Sequence, residues 1–243
     1  MAFSLDTVRN SVIKNIQFTP KDVLDIGSGD GKLLFSIKEK YPSVSLSGCD
    51  YTDHFLKNDQ VDLEIVDLNK GTLPYEDESY DLITITEVIE HLENYHSILR
   101  EASRILRKGG QIIITTPNIL NLKSRIGYLK SGFWNLFGPL PLDRKCLEST
   151  SGHITPVHFF HLAYSLSHAG FRSIILKNDK VQKTSLFCYI LLYPIIRFWD
   201  WRFIKIETEK FRTINSHNLS IAKEINSFQA LTARSILVTA IKK

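Results

Sequence analysis

A glycine-rich turn with acidic residues beside it is the first feature of this sequence that could bind a ligand. The segment VLDIGSGDGKLL has glycine at every second position from Gly27 to Gly31, and it also contains Asp25 and Asp30. A residue without a Cβ atom lets the backbone approach a bound molecule closely. Acidic side chains favour a cationic ligand over a pyrophosphate. The turn, with Gly29 at its centre, therefore indicates a site for a small molecule that carries positive charge.

Two other kinds of glycine-rich loop match this turn less well. A phosphate-binding loop requires glycine at position 26 and Ser or Thr at position 33, where the sequence has Ile26 and Leu33. A dinucleotide-binding turn that starts at Gly27 requires a third glycine at position 32, which is Lys32. The sequence thus argues against a phosphate-binding loop, whereas a dinucleotide site is weakened but stays open.

Short apolar runs alternate along the chain with segments whose apolar residues recur at helical spacing. The predicted strands are 22–26, 44–49, 63–66, 82–86, 111–115, 174–177 and 235–241. The clearest predicted helices are 31–40 and 94–107. Most of the strands are apolar at nearly every position, as strands covered on both faces are. This alternation predicts a parallel sheet that binds ligands at the carboxyl ends of its strands, where the glycine turn lies.

Composition limits the classes of function. The chain has 243 residues, of which 43% are apolar, and this is enough for one large domain over 1–243. Its 30 basic and 26 acidic residues give a net charge of only +4, so nucleic acid is not expected as the main partner. Cys49, Cys146 and Cys188 form no C-x-x-C pair, so neither a disulfide framework nor a metal site is expected. The N-terminal segment MAFSLDTVRN lacks the pattern of a secretory signal, and a cytoplasmic location is expected.

Five motifs follow one another in an order that is typical of one enzyme family. They are VLDIGSGDG, LSGCD, IVDLNKGTLPYEDESYDLITITEVIEHL, ILREASRILRKGGQIIITTPN and HFFHLAYSLSHAGFRSIIL. With this series the sequence resembles the class I S-adenosylmethionine-dependent methyltransferases, especially the small-molecule branch that includes the ubiquinone and menaquinone methyltransferases. The resemblance covers residues 20–118, the expected cofactor-binding core, and extends to about residue 177.

The resemblance also implies a fold. The expected fold class is α/β, with a Rossmann-like sheet of seven mostly parallel strands and helices on both faces. The last strand should be antiparallel, and residues 235–241 fit that strand. Insertions are expected after strand 5 and between strands 6 and 7.

S-adenosylmethionine is the cofactor that the resemblance implies, and each of its parts has a candidate partner. Gly27 and Gly29 would let the backbone approach the amino acid moiety, and Asp25 would support its ammonium side. Asp50 follows the glycines by about 20 residues and ends a predicted strand, so it would accept hydrogen bonds from both ribose hydroxyls.

Three further positions complete the expected cofactor site. Asp67 and Leu68 resemble the position that meets the adenine amino group, and Glu87 begins EVIEHL, which in the family lies along the cofactor and substrate side. The structural alternatives are an ordinary strand-to-helix turn at the glycines, a strand terminator at Asp50 and a solvated loop acid at Asp67.

Histidines supply the candidates for proton transfer. If the methyl acceptor is a hydroxyl, its proton must be removed, and a nearby base contributes about 10²–10⁴-fold. His91 and His153 are the predicted bases, and His153 stands just before a predicted helix, where family members often carry a histidine that faces the pocket. The alternative for His91 is a pair with Glu90 that is satisfied by local hydrogen bonds at a helix start.

Residues 118–156 follow the fifth predicted strand, where the family places the cover of the acceptor site. Leu122, Ile126, Leu129 and Phe133 recur at helical spacing and form an apolar stripe. The stripe could line the acceptor site, or it could simply pack on the domain.

Residues 181–232 form the second expected insertion, and their most apolar part is 185–206. Its uncharged run of about 12 residues is too short to span a bilayer of about 30 Å. Trp199, Trp201 and Arg202 then give the mixture of aromatic and basic side chains that is favoured at a lipid interface. A buried lid or a contact between subunits is the alternative.

The sequence therefore predicts a cytoplasmic S-adenosylmethionine-dependent methyltransferase, with possible peripheral binding to the inner face of the membrane. The expected acceptor is a small apolar, lipid-linked or glycan-type molecule that is methylated on oxygen, with carbon as the second choice. A binding or scaffold protein that kept the fold without the chemistry is the alternative from another class. An NAD-dependent oxidoreductase is less favoured, because the turn is acidic and lacks the third glycine.

Overall fold

The computed structural model describes residues 2–52, 61–140 and 152–243, and seven strands form one sheet at its centre. The strands are β1 (Asp22–Ile26), β2 (Ser45–Asp50), β3 (Asp62–Ile65), β4 (Tyr80–Thr86), β5 (Leu106–Pro117), β6 (Phe171–Asn178) and β7 (Ser235–Lys242). Their order across the sheet is β3-β2-β1-β4-β5-β7-β6. Strands β1 to β5 pair in parallel, and β7 lies antiparallel between β5 and β6. The predicted seven-stranded, mostly parallel sheet with an antiparallel last strand is confirmed.

Helices surround this sheet. They are α1 (Ala2–Lys14), α2 (Lys32–Lys40), α3 (Tyr95–Ile105), α4 (Leu122–Ser131), α5 (Phe159–His168), α6 (Lys183–Ile206), α7 (Leu219–Glu224) and α8 (Phe228–Thr232). Short 3-10 segments cover Leu68–Lys70 and Ile89–His91. Helix α3 buries Ile98, Leu99 and Ala102, and this spacing places them on the one face of the helix that meets the sheet.

The two faces of the central strands explain why these strands read as almost unbroken apolar runs. In β1, Leu24 belongs to the core on one face of the sheet, whereas Val23 belongs to the core on the other. In β5, Ile112 and Ile113 divide in the same way. Successive side chains of a strand point to opposite faces, so a strand covered by helices on both faces needs apolar residues at every position.

One predicted boundary in the middle of the chain is wrong. Strand β5 begins at Leu106, five residues before the predicted start at Gln111, and α3 ends at Ile105 rather than at Arg107. Gly109 has a φ of 78°, which a glycine adopts without strain. Gly109 and Gly110 therefore lie within the strand instead of separating it from the helix, and the pairing of β4 with β5 shifts register at this place.

The apolar stripe predicted after β5 is only partly a packing face. Leu122 is buried in α4, but the Leu129 side chain is 85% exposed, and Phe133 lies beyond the end of the helix. Helix α4 therefore packs through its first turn, and the prediction of one continuous stripe is wrong. Residues 141–151 of the predicted cover, which include Cys146, lie outside the described residues.

Helix α6 occupies the predicted place between β6 and β7. Its 24 residues extend over about 36 Å at 1.5 Å per residue. Only Ser185 and Asp200 of this helix are buried, and the helices that it mainly contacts are α4 and α8. Across the described ranges, no helix has both the length and the apolar character that crossing a membrane requires.

Candidate active site

A pocket of about 800 Å³ opens at the carboxyl ends of β1, β2 and β4. Its wall includes most of the positions expected to bind the cofactor, namely Gly27, Gly29, Asp50, Asp67, Leu68 and Glu87. His91 lines it as well, together with its chain neighbours Val88 and Leu92. Asp25 does not line the pocket. Parallel strands that end side by side thus bring together residues from widely separated parts of the sequence.

The glycine turn has the conformation that its glycines allow. Gly27 and Gly29 have φ values of 77° and 51°, in the left-handed region that other residues rarely adopt. A Cβ atom on Gly27 would lie 2.3 Å from Val88 Cγ2, so the Gly27 backbone packs directly against the Val88 side chain, which follows β4. A Cβ atom on Gly29 would meet nothing within 4 Å. Gly27 is therefore explained by packing within the chain, whereas Gly29 leaves open space on the pocket wall.

The Asp50 carboxylate joins the turn to the end of β2. Its Oδ2 accepts a hydrogen bond of 2.8 Å from the Gly29 N–H, and its Oδ1 accepts one of 2.8 Å from the Tyr51 N–H. Each carboxylate oxygen has two lone pairs, so each retains one acceptor position. Asp50 is thus held at the wall with both oxygens able to accept from a vicinal diol.

Beyond Asp50 the wall combines polar and apolar groups. Asp67 Oδ1 accepts from the Asn69 N–H and so begins the short helical segment Leu68–Lys70. Tyr51 and Ile65 also line the pocket, with 57% and 54% of their surfaces exposed. Exposed apolar side chains beside a cleft fit a flat aromatic ring that would cover them. Tyr51 and Ile65 were not predicted, because an exposed residue just beyond a short strand has no distinguishing pattern in sequence.

Asp25 lies in the core of β1 rather than on the wall. The Thr84 hydroxyl donates to its Oδ1 at 2.6 Å, and the residue is 2% exposed. Burial raises the pKa of Asp25 to about 7, although the Thr84 hydrogen bond favours the ionised form. The expected role of Asp25 in supporting the ammonium side of the cofactor stays a prediction.

Two polar atoms at the end of β4 are buried without a hydrogen-bonding partner in the described part of the chain. They are Thr86 Oγ1 and Glu87 Oε1, and both residues line the pocket. Glu87 has a φ of 55°, and burial raises the pKa of its carboxyl to about 7. An unsatisfied buried polar group costs about 1–3 kcal/mol, and a strained residue costs a similar amount. These atoms and the space at Gly29 fit a ligand that has both polar and aromatic parts, as S-adenosylmethionine has.

The two predicted bases come together although they are far apart in sequence. The rings of His91 and His153 have centroids 4.8 Å apart. The Nδ1 atoms of His91 and His153 lie 2.9 Å from the carbonyl oxygens of Gly152 and Leu136 respectively. A carbonyl oxygen only accepts, so each Nδ1 carries the proton and each Nε2 has a free lone pair. Burial and the neighbouring His91 lower the pKa of His153, which keeps it neutral near pH 7.

Glu90 is the main residue of this region that sequence reasoning did not assign to the chemistry. Its side chain is fully buried, its Oε2 accepts from the Thr116 hydroxyl at 2.9 Å, and its Oε1 has no partner in the described ranges. Its backbone carbonyl accepts from the N–H groups of Ile154 and Thr155, which positions His153 beside His91. The signal was the polar pair within the apolar EVIEHL segment, where an acid is unexpected in a buried position.

Comparison with known proteins agrees with this geometry. Residues 24–114 match the methyltransferase domain family. The demethylmenaquinone methyltransferase of Thermotoga maritima is 27% identical over 144 residues, which are 57% of this chain and 63% of that protein. This chain spans less than two thirds of the length of the curated relatives it matches.

Solved structures share the fold at low sequence identity. A SAM-dependent methyltransferase from Archaeoglobus fulgidus has a TM-score of 0.60 and 16% identity, with 98% of this chain and 94% of that chain covered. Phosphoethanolamine N-methyltransferase 2 of Haemonchus contortus, in complex with S-adenosyl-L-methionine, has a TM-score of 0.56 and 19% identity, with 96% of this chain and 52% of that chain covered. The resemblance predicted from the motifs is confirmed: residues 24–114 match the methyltransferase domain family, and the fold is that of S-adenosylmethionine-dependent methyltransferases of known structure.

Proposed function

We propose that this protein transfers the methyl group of S-adenosylmethionine to an oxygen atom of a small apolar, lipid-linked or glycan-type acceptor. The observation that carries the proposal is the shared pocket wall, which joins the glycine turn, Asp50, Asp67 and Leu68 at one edge of the sheet. Gly29 would face the amino acid moiety, Asp50 would accept the ribose hydroxyls, and Asp67 with Leu68 would meet the adenine.

Methyl transfer is an in-line displacement that needs little chemistry from the protein. The acceptor lone pair attacks the methyl carbon, and the carbon–sulfur bond breaks so that its electron pair returns to sulfur. Holding the two reactants at attack distance contributes about 7–11 kcal/mol. Glu87 lies at the end of β4 on the pocket wall and is proposed to face both the cofactor and the acceptor.

Removal of the acceptor proton is assigned to the histidine pair. The lowered pKa of His153 keeps its ring able to take up a proton at neutral pH. His91 lines the pocket, so the pair lies at the end of the cavity where an acceptor hydroxyl would enter. A base in this position contributes about 10²–10⁴-fold to the rate.

An acceptor drawn from a lipid surface is supported by helix α6. Most of its large apolar side chains are exposed, namely Phe187, Ile190, Leu191, Tyr193, Ile195, Phe198, Trp199, Trp201, Phe203 and Ile206. A monomeric soluble protein rarely exposes so large a contiguous apolar surface. The helix is amphipathic only weakly, but exposed Arg202 and Lys205 accompany its tryptophans, as in helices that lie in a membrane interface. We propose that α6 rests on the inner face of the membrane.

Methylation on carbon is the second candidate, and the names of the relatives favour it. The similar protein of Thermotoga maritima is a demethylmenaquinone methyltransferase, and a relative from Desulfotalea psychrophila is a ubiquinone/menaquinone biosynthesis C-methyltransferase. Either acceptor atom suits the same donor pocket, and the histidine pair is required mainly when a hydroxyl must lose its proton.

Transfer of tritium from labelled S-adenosylmethionine tests the proposal directly. The purified protein is incubated with separate lipid and glycan extracts, and labelled products are analysed by mass spectrometry for a gain of one methylene unit. Label in an organic product that depends on the protein is expected. Cofactor binding without any labelled product in either extract would instead favour a binding protein that lacks the chemistry.

A further inference from the structure

One carboxylate and two imidazole rings converge beside the pocket. A ligand atom from each of Glu90, His91 and His153 lies within 4.8 Å of those of the other two. Glu90 and His91 come from the segment after β4, whereas His153 comes from the segment before α5. The cluster therefore exists only in the folded chain, and its residue types are those that bind borderline divalent metals.

Glu90 has a buried carboxylate oxygen that no salt bridge or hydrogen bond of the described residues satisfies. It is fully buried, and only one of its two carboxylate oxygens has a partner. A buried carboxylate with a vacant acceptor position is costly unless a cation or a donor satisfies it. The unpartnered oxygen belongs to the group that converges with the two histidines.

The two histidines are oriented as metal-binding histidines usually are. Each donates its Nδ1–H to a backbone carbonyl, His91 to Gly152 and His153 to Leu136. A histidine that binds a metal through one nitrogen normally donates from the other to a carbonyl or carboxylate, which fixes the ring. The Nε2 atom of each ring is thereby left as the available ligand atom.

We propose that Glu90, His91 and His153 bind a divalent transition metal ion, with Zn²⁺ as the reference ion, at the acceptor end of the pocket. Two ligand atoms about 2.1 Å from one ion are separated by at most about 4.2 Å. Because the ligand atoms lie within 4.8 Å of one another, small side-chain movements suffice to close the site. Three protein ligands leave at least one position open, as in catalytic metal sites.

The metal site deepens the proposed function, and the catalytic role of the ion rests on that function. An acceptor hydroxyl in the open position would lose its proton to water more readily, because the cation stabilises the oxyanion. The oxygen lone pair then attacks the methyl carbon of S-adenosylmethionine, and the carbon–sulfur bond breaks with its electron pair returning to sulfur. With the ion bound, the Nε2 lone pairs of His91 and His153 would be used for coordination, so the ion would replace the histidine base assigned above and water would take the proton.

Metal binding is measured on the full chain after treatment with a chelator. Zn²⁺ is titrated by calorimetry, and Co²⁺ is titrated by its visible absorption, which reports coordination directly. One ion per chain is expected. His153→Asn should lower the affinity at least tenfold, and Glu90→Gln should do the same while keeping the side-chain shape. His168→Asn, at an exposed histidine outside the cluster, is the matched control and should bind as the wild type does.

Titration of S-adenosylhomocysteine into the same proteins separates this inference from the proposed function. His153→Asn should bind the nucleoside product as the wild type does, which also shows that the variant is folded. Wild-type protein that binds the product but no Zn²⁺ or Co²⁺ would overturn the metal site and leave the donor site intact. Equal ion affinity in the wild type and His153→Asn would also overturn it. Loss of product binding in the wild type would count against the proposed function itself.

Discussion

The glycine turn after β1 and the long helix α6 differ in how far their side chains are satisfied by contacts within the chain. At the turn, both oxygens of Asp50 accept backbone N–H groups, and Gly27 packs against Val88. In α6, large apolar side chains face outwards, and only Ser185 and Asp200 are buried. The polar groups of the turn are therefore satisfied by contacts within the chain, whereas most of the large apolar side chains of α6 are exposed.

Under the proposed function, this difference separates the part of the molecule that would bind the methyl donor from the part that would meet the acceptor. The donor pocket is built from the ends of strands, whose positions are held by a sheet that is buried on both faces. Helix α6 is held mainly by its contacts with α4 and α8 and by buried Asp200, which accepts a hydrogen bond from Asn226. This arrangement is what the proposed function requires, namely a fixed site for the methyl donor and a peripheral helix at which an apolar acceptor would arrive.

The largest effect is expected from Gly27→Ala, which tests how tightly the turn is packed. The new Cβ atom would lie 2.3 Å from Val88 Cγ2 in a left-handed backbone. Strain of about 1–3 kcal/mol and overpacking of about 1–3 kcal/mol should lower the free energy of unfolding, measured in urea. Gly132→Ala is the control, because Gly132 has a φ of 75° and open space around a Cβ atom. Equal losses in both variants would show that the contact with Val88 contributes nothing.

Asp50→Ala should have the next largest effect, on ligand affinity. Removal of the carboxylate deletes the acceptor for the ribose hydroxyls, and calorimetry with S-adenosylhomocysteine should show a loss of about 1.5–3 kcal/mol. Asp30→Ala is the matched control, because Asp30 is an exposed acid in the same turn that pairs with Lys32 outside the pocket wall. Unchanged affinity in a folded Asp50→Ala protein would remove Asp50 from the donor site.

A smaller effect is expected from Asp25→Asn, and it depends on pH. Burial raises the pKa of Asp25 to about 7 from 3.8, so the folded state holds this proton more tightly than the unfolded state does. The resulting stability is complete below about pH 4 and is lost as pH rises towards 7. An asparagine cannot ionise, so the free energy of unfolding of the variant, relative to the wild type, should increase from pH 5 to pH 8. A difference that is independent of pH would show that Asp25 keeps its ordinary pKa.

The smallest free-energy change is expected at the surface of α6. Trp199→Glu combined with Trp201→Glu should reduce flotation with anionic liposomes, because the two apolar rings are lost from the lipid interface. Added salt should reduce flotation of the wild type, since each basic residue contributes about 1 kcal/mol at an anionic surface and salt screens this attraction. Tyr164→Glu, at an exposed aromatic residue of α5, is the control. Wild-type protein that stays at the bottom of the gradient in every lipid mixture would identify α6 as a contact between protein surfaces.

The same contrast decides what the sequence could predict. Strand β1, the glycine turn and Asp50 follow from local patterns, because apolar runs, glycines and a strand-terminal acid each leave a signal within a few residues. The cluster of Glu90, His91 and His153 depends on a contact between distant segments, so it becomes visible only in the fold. The stripe through Leu129 failed for a related reason, since periodicity shows that a face exists but not whether a neighbour covers it.

The central claim is that the pocket at the carboxyl ends of β1, β2 and β4 binds S-adenosylmethionine. Calorimetric titration of the wild-type protein with S-adenosylmethionine, S-adenosylhomocysteine and NAD⁺ tests it most directly. We expect saturable binding of both adenosyl compounds at one molecule per chain and no binding of NAD⁺ in the same concentration range. Folded protein that binds NAD⁺ and neither adenosyl compound would contradict the account.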